Sequence, residues 1–201
     1  MDNKDEGNVL FPVFLKLHEL DLLVVGGGNV GLEKLEAILR NSPRARVTVV
    51  GKEILRKEIY KLAEKHPFVR VVEDKFRRKY LRNKDIVVLA TDSRPLHEKI
   101  VKINKRKRLL TNVADTPDLC DFYLGSVVKK GDLKIGISSN GKSPTLTKRI
   151  REYLEEAIPN DVQTLLDQLK ELRDQLKGDF DYKVRKLNEV TQDWLTKPDK
   201  K

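Results

Sequence analysis

The chain of 201 residues carries 41 Lys and Arg against 31 Asp and Glu, a formal net charge of +10, with 39% hydrophobic residues and a single cysteine. Such a length suits one domain with an appendage or two small domains, and it is enough to bury a core. One thiol excludes an intrachain disulfide and a multi-cysteine metal cluster, which points to the cytoplasm. No uninterrupted apolar stretch approaches the roughly 20 residues of a membrane helix, and the polar opening MDNKDEG reads as neither signal peptide nor anchor.

In chain order, residues 11–17 (FPVFLKL) read as a short strand and residues 22–25 (LLVV) as a buried central one. The second runs into GGGNVG, after which Leu32, Leu35, Ala37, Ile38 and Leu39 recur among charges at helical spacing. Asn41-Ser42-Pro43 ends that helix, and RVTVV at 46–50 completes a βαβ unit of about 30 residues. A helix over 54–65, a strand at 68–73, a helical turn near 78–81, an apolar strand at 86–90, a helix over 97–104 and a strand at 108–113 follow. The alternation predicts an α/β, Rossmann-like doubly wound parallel sheet with its ligand crevice at the carboxyl ends of the strands.

Beyond residue 112 the texture changes. Apolar runs at 122–128 and 133–137 flank Lys-Lys-Gly-Asp, the pattern of a hairpin, and Ser143-Pro144 reads as an N-cap followed by proline at the first helical position. From 160 on, Val162, Leu165, Leu166, Leu169, Leu172 and Leu176 share one helix face. Gly178 interrupts before a second amphipathic piece with Val184, Leu187, Val190 and Trp194. The division expected is a Rossmann domain over 1–112, a small α+β dimerisation and substrate module over 113–147, and a helical segment over 148–201, which caps a cleft or contacts a second subunit.

Gly26, Gly28 and Gly31 give G-x-G-x-x-G between strand and helix: a tight turn, close approach of pyrophosphate to backbone, and close helix packing. Free N–H groups at the new helix start suit a phosphate, and this context favours dinucleotide binding over a plain turn. The carboxylate expected at the end of the second strand to meet the adenosine ribose is Glu53, a residue or two late; Lys52 beside it suits a 2′-phosphate instead. NAD is the expected cofactor, with NADP the alternative. Thr91-Asp92 ends another strand of the sheet. The basic run KINKRKR (102–108) reads either as a solvated helix face or as a surface for an anionic partner; without interleaved aromatics, single-stranded nucleic acid is disfavoured.

FPVFLKL, VVGGGNVG, Ala90-Thr91-Asp92, NVADTPDLCDF and ISSNGKSPTLTKRIRE, in this order, resemble the precorrin-2 dehydrogenase family, also found as the amino-terminal half of siroheme synthase. The likeness covers about residues 9–158. It implies NAD-dependent oxidation of precorrin-2 to sirohydrochlorin, followed in some members by iron insertion to siroheme, and a homodimer built through the second module. The substrate carries eight carboxylate side chains, so a basic chain suits it without any nucleic acid partner.

The resemblance assigns Asp115 to proton handling; the alternative from the residues alone is a cap on the turn before Pro117. Gly26, Gly28, Asn29, Val30 and Gly31, with Lys52 and Glu53, match the dinucleotide contacts. Thr91 and Asp92 fall toward the nicotinamide end. Ser139, Asn140 and Lys142 match the tetrapyrrole side, where a plain N-capped loop is the alternative. Two departures stand out: Gly31 replaces a usual alanine and Asn140 a usual glycine. His18, His66 and His97 adjoin no second ligand type and read as surface or packing residues. No preformed iron site is marked; the resemblance implies that none is needed, because the ring nitrogens are themselves the ligands, so iron insertion stays open. The 201 residues leave no room for the methyltransferase domain of the long fused synthases. A reading from another class remains, a non-enzymatic Rossmann-type nucleotide sensor whose basic surface binds a partner or nucleic acid.

Overall fold

The computed structural model describes residues 7–191. They divide into two compact units, one running to Ser126 and including Ser138–Thr147, the other comprising Val127–Ile137 and the chain from Lys148 on.

The first unit holds five parallel strands: β1 (Asp21–Val25), β2 (Arg46–Gly51), β3 (Val69–Glu73), β4 (Ile86–Leu89) and β5 (Leu110–Val113). Their order is β3-β2-β1-β4-β5, with Val25 level with Val50 on one side and Leu89 on the other. Strand order therefore reverses between β1 and β4, the topological switch point of a doubly wound sheet. A parallel sheet covered on both faces needs strands apolar on both sides. Alternate residues of β1 serve each face. Leu22 and Val24 pack with Leu32, Leu35, Ile38 and Leu39 of α1 (Asn29–Asn41) and Ile59 of α2 (Glu58–Lys65). Leu23 and Val25 pack with Ile100, Val101 and Ile103 of α3 (Arg94–Lys107) and with Leu81 of the 3-10 turn Arg78–Leu81.

Residues 11–17 are a correction: they form no strand. Both sides of β1 are taken, and the outer side of β5 is bonded by residues 120–122, so the apolar run finds no ladder there. Its contact with the sheet is Leu17, whose carbonyl accepts from the Arg46 N–H (3.3 Å), while Phe11, Val13 and Phe14 stay exposed. Three boundaries also move. Residues 54–57 lie over the glycine turn before α2 starts; α3 begins at Arg94, with Pro95 tolerated in its first turn; and Arg108, in the left-handed region at φ +58°, delays β5 to Leu110.

Of the second unit, β6 (Ser126–Lys130) contributes all but its first residue and pairs with β7 (Leu133–Ile137) around Gly131 at φ +57°. Gln163 of α5 (Val162–Gln175) clasps that turn. Its Oε1 accepts from the Asp132 N–H (2.7 Å) and its Nε2 donates to Asp132 Oδ2 (3.1 Å). Gly178, at φ +140°, separates α5 from α6 (Phe180–Thr191). Trp194 lies outside the described residues. The remaining helix, α4 (Pro144–Ala157), is capped by Ser143, whose Oγ accepts from the Leu146 N–H (3.2 Å).

Candidate active site

The carboxyl edge of the sheet is laced by backbone bonds that fix where each loop leaves it. Gly26 N–H donates to Val50 O (2.8 Å), Ala90 N–H to Val25 O (2.8 Å) and Ala114 N–H to Leu89 O (2.9 Å). The glycine turn, Thr91-Asp92 and the Asp115 loop therefore emerge side by side, from β1, β4 and β5.

The three glycines of the turn do different work. Gly26 sits at φ +136°, and a Cβ there would meet the Ala90 carbonyl oxygen at 2.1 Å. At Gly31 a Cβ would come within 2.2 Å of the Gly26 carbonyl oxygen, so the departure from alanine has a structural reason in this chain. Gly28 differs, since a Cβ there would meet nothing within 4 Å. That open face lies at the N-cap of α1, where no side chain caps the helix and no acidic residue occupies the first turn. The leading N–H groups of α1, Asn29 and Val30 among them, lack intrahelical acceptors and carry the positive end of the dipole. This cradle fits a pyrophosphate.

Lys52 and Glu53 follow β2 and are exposed, and neither forms an ion pair among the described residues. The Glu53 backbone instead shapes the turn: its carbonyl oxygen would lie 2.4 Å from a Cβ at Gly27. Arg56 reaches the same place through its N–H, which donates to Gly27 O (3.2 Å).

Thr91 is half-buried and Asp92 exposed. His97, with 3% of its surface exposed, places Nε2 2.9 Å from Thr91 Oγ1. Burial pushes the His97 pKa below its ordinary value, with Asp92 opposing, so the ring is neutral at pH 7. It is thus a packing histidine, but one bonded to a site residue.

Asp115 is exposed on the loop after β5, in the left-handed region at φ +54°, which aspartate, like asparagine, adopts more readily than most side chains. Its carboxylate caps no backbone N–H among the described residues, and the following 3-10 turn (Pro117–Leu119) has no side-chain cap. The loop is pinned from below by residues whose role the sequence did not reveal. Cys120 Sγ accepts from the Val113 N–H (3.2 Å) and lies 3.2 Å from Val113 O, within donating distance; Asp121 Oδ2 accepts from the Thr111 N–H (2.9 Å). Asn112 Nδ2 donates to Phe122 O (2.9 Å). Burial raises the Cys120 pKa and keeps the thiol protonated. Arg94 links the two loops, pairing with Asp118 (3.2 Å) and Glu98 (3.0 Å), exposed pairs that solvent screens.

Ser139, Asn140 and Lys142 lie in the same unit, on a tight loop. Ser139 Oγ accepts from the Ser143 N–H (3.0 Å) and keeps its own hydrogen to donate. Asn140 at φ +54° and Gly141 at φ +76° are successive left-handed residues, and asparagine is among the few side chains that tolerate this, which accounts for its replacing glycine. Lys142 is exposed. Among the described residues no hydrogen bond joins this loop to Asp115 or to the glycine turn; it is tied instead by Asn8 Nδ2 to Ser138 Oγ (3.2 Å) and Ser126 Oγ to Thr147 Oγ1 (3.3 Å).

Residues 13–126 match the protein-family model described as "Putative NAD(P)-binding". The chain belongs to that NAD(P)-binding family. Residues 130–157 match a second model, "Sirohaem biosynthesis protein central". Siroheme synthases are similar over most of the chain: that of Psychrobacter sp. (strain PRwf-1) is 36% identical over 84% of the chain, and that of Psychrobacter arcticus 34% over 92%. The chain spans about a third of the length of these relatives, 34% and 32% respectively. A solved structure titled "SirC, precorrin-2 dehydrogenase" superposes with a TM-score of 0.72 at 29% identity, covering 92% of this chain and 90% of that one. These matches bear out the resemblance carried by GGGNVG, NVADTPDLCDF and ISSNGKSPTLTKRIRE, and with it the Rossmann-like sheet.

Proposed function

We propose that the chain is an NAD-dependent precorrin-2 dehydrogenase that forms sirohydrochlorin in siroheme biosynthesis. The observation that carries this is an exposed, uncapping carboxylate, Asp115, on the loop after β5, at the same carboxyl edge of the sheet as the phosphate-ready glycine turn and separated from it by β4. When bound, the dinucleotide supplies the hydride acceptor. Gly26, Gly28 and Gly31 shape the turn that admits its pyrophosphate, and the α1 N–H groups of Asn29 and Val30 hold the charge. Lys52 and Glu53 meet the adenosine end, where Glu53 favours ribose hydroxyls over a 2′-phosphate, and Thr91 and Asp92 meet the other end. Asp115 takes or manages the proton released from the macrocycle. Ser139, Asn140 and Lys142 bind carboxylate arms of the substrate through an O–H, an amide and an ammonium group.

The resemblance to siroheme synthases and the solved dehydrogenase supports the substrate. A homodimer in the cytoplasm belongs to the same proposal: Leu146, Ile150 and Tyr153 of α4 recur at helical spacing and are all exposed, an apolar stripe suited to a second subunit. Among the described residues no helix is long and apolar enough to cross a membrane.

The test is an absorbance scan of precorrin-2 with NAD and the chain. Appearance of the sirohydrochlorin spectrum together with NADH supports the reading. NAD binding with no change in the tetrapyrrole would make the chain a nucleotide sensor.

A further inference from the structure

We infer that His97 is a positioning residue for the dinucleotide, acting through the hydroxyl of Thr91. Thr91 stands one residue beyond Ala90, whose carbonyl forms the wall against which Gly26 is packed, so it stands at the switch point between β1 and β4. A threonine hydroxyl has one donor and two acceptor positions. The Ser93 N–H approaches Thr91 Oγ1 at 3.4 Å, taking one acceptor position, and His97 Nε2 at 2.9 Å takes a second valence. If the imidazole donates, the hydroxyl hydrogen is left over; if it accepts, one lone pair is left over. Either way a single valence remains on a half-buried group, held in one rotamer. That is how a short side chain is made specific for a carboxamide or a ribose hydroxyl, rather than for water in many orientations.

His97 is suited to hold it. It lies in the first turns of α3, almost fully buried, and its neutral form is favoured by that burial, so the imidazole neither repels a cation nor attracts a stray anion. A residue needed only to fill this space would do as well with a leucine.

The inference rests on the dinucleotide reading, and the two fail differently. NAD affinity is measured by calorimetry on the full chain and on His97→Leu, His97→Gln, Thr91→Val and the His97→Leu/Thr91→Val pair, with the melting midpoint of each. His97→Leu and Thr91→Val should each weaken NAD by roughly 3- to 10-fold, the worth of one hydrogen bond. The double variant should be no weaker than Thr91→Val alone, and His97→Gln, which can still bond Thr91, should restore most of the affinity. Unchanged NAD affinity in His97→Leu with a lowered midpoint overturns the inference, as do additive losses in the pair. Should His97→Leu not fold, Thr91→Val decides: wild-type affinity there removes the hydroxyl from the site and the inference with it. No NAD binding by the unaltered chain overturns the dinucleotide reading itself.

Discussion

Asp115→Ala separates two roles at one position. A cap would cost about 1 kcal/mol of stability with little effect on rate. The carboxylate bonds to no backbone N–H among the described residues, so alanine loses no cap; at φ +54°, which alanine tolerates less well than aspartate, the midpoint should drop by a few degrees at most while kcat for precorrin-2 falls about 10²- to 10⁴-fold. Measuring kcat and midpoint on one preparation decides, and a near-normal kcat would leave the proton unassigned. At Gly26, φ +136° alone costs an alanine about 1–3 kcal/mol, and the 2.1 Å approach to Ala90 adds to that, so Gly26→Ala should lower the midpoint and NAD affinity together. His97 gives a pH dependence. Its folded pKa lies below the ordinary 6.5, so its contribution to stability is present above that value and is lost as pH falls through the folded pKa. Stability measured from pH 7.5 down to pH 5 should fall more steeply in the wild type than in His97→Gln; parallel curves would exclude His97 as the source.

At the scale of elements, the start of α1 offers a variant that divides folding from binding. Gly28 occupies the N-cap, a Cβ there meets nothing, and aspartate is among the best N-cap residues. Gly28→Asp should therefore keep or raise the melting midpoint and at the same time abolish NAD binding, because its carboxylate stands where pyrophosphate charge must go. Unchanged NAD affinity by calorimetry would remove the cofactor from this turn. Elements were legible in the sequence where local pattern and tertiary setting agreed: LLVV entering GGGNVG could only be a buried strand turning into a helix. They were illegible where the deciding partner is remote. FPVFLKL has strand composition but meets the sheet only at Leu17, and Cys120 and Asp121 look like loop residues until they are seen bonded to β5. The Gln163 clasp on Asp132 spans 31 residues and has no sequence signal.

Across the whole molecule the charge of +10 bears on the proposed capture of a polycarboxylate. Electrostatic attraction of a polycarboxylate is screened by salt, with a Debye length of about 10 Å at 0.1 M. KM for precorrin-2 should therefore rise with ionic strength while kcat holds, and a salt-independent KM would confine recognition to uncharged contacts. Of the residues of KINKRKR, Lys102, Lys105, Arg106 and Lys107 line the solvated side of α3, while Ile103 and Asn104 face inward. Both readings of that run thus described the same helix, and only the structure told which residues were free. The candidate site was legible in the same partial way. Its motifs marked Gly28, Thr91, Asp115 and Ser139, but the left-handed backbone at Asp115 and the support behind Thr91 are properties of the folded structure.

The one thiol in the chain closes the loop that bears Asp115, held against Val113 and within 3.5 Å of the Thr116 carbonyl oxygen. It is therefore a natural reporter, needing no engineering. A maleimide reacts with thiolate, and here the thiol is protonated and half-covered, so alkylation should be slow while this loop stays closed and faster when it opens. The labelling rate under native conditions becomes a clock for loop opening, and saturating substrate should slow it if closure of that loop accompanies binding.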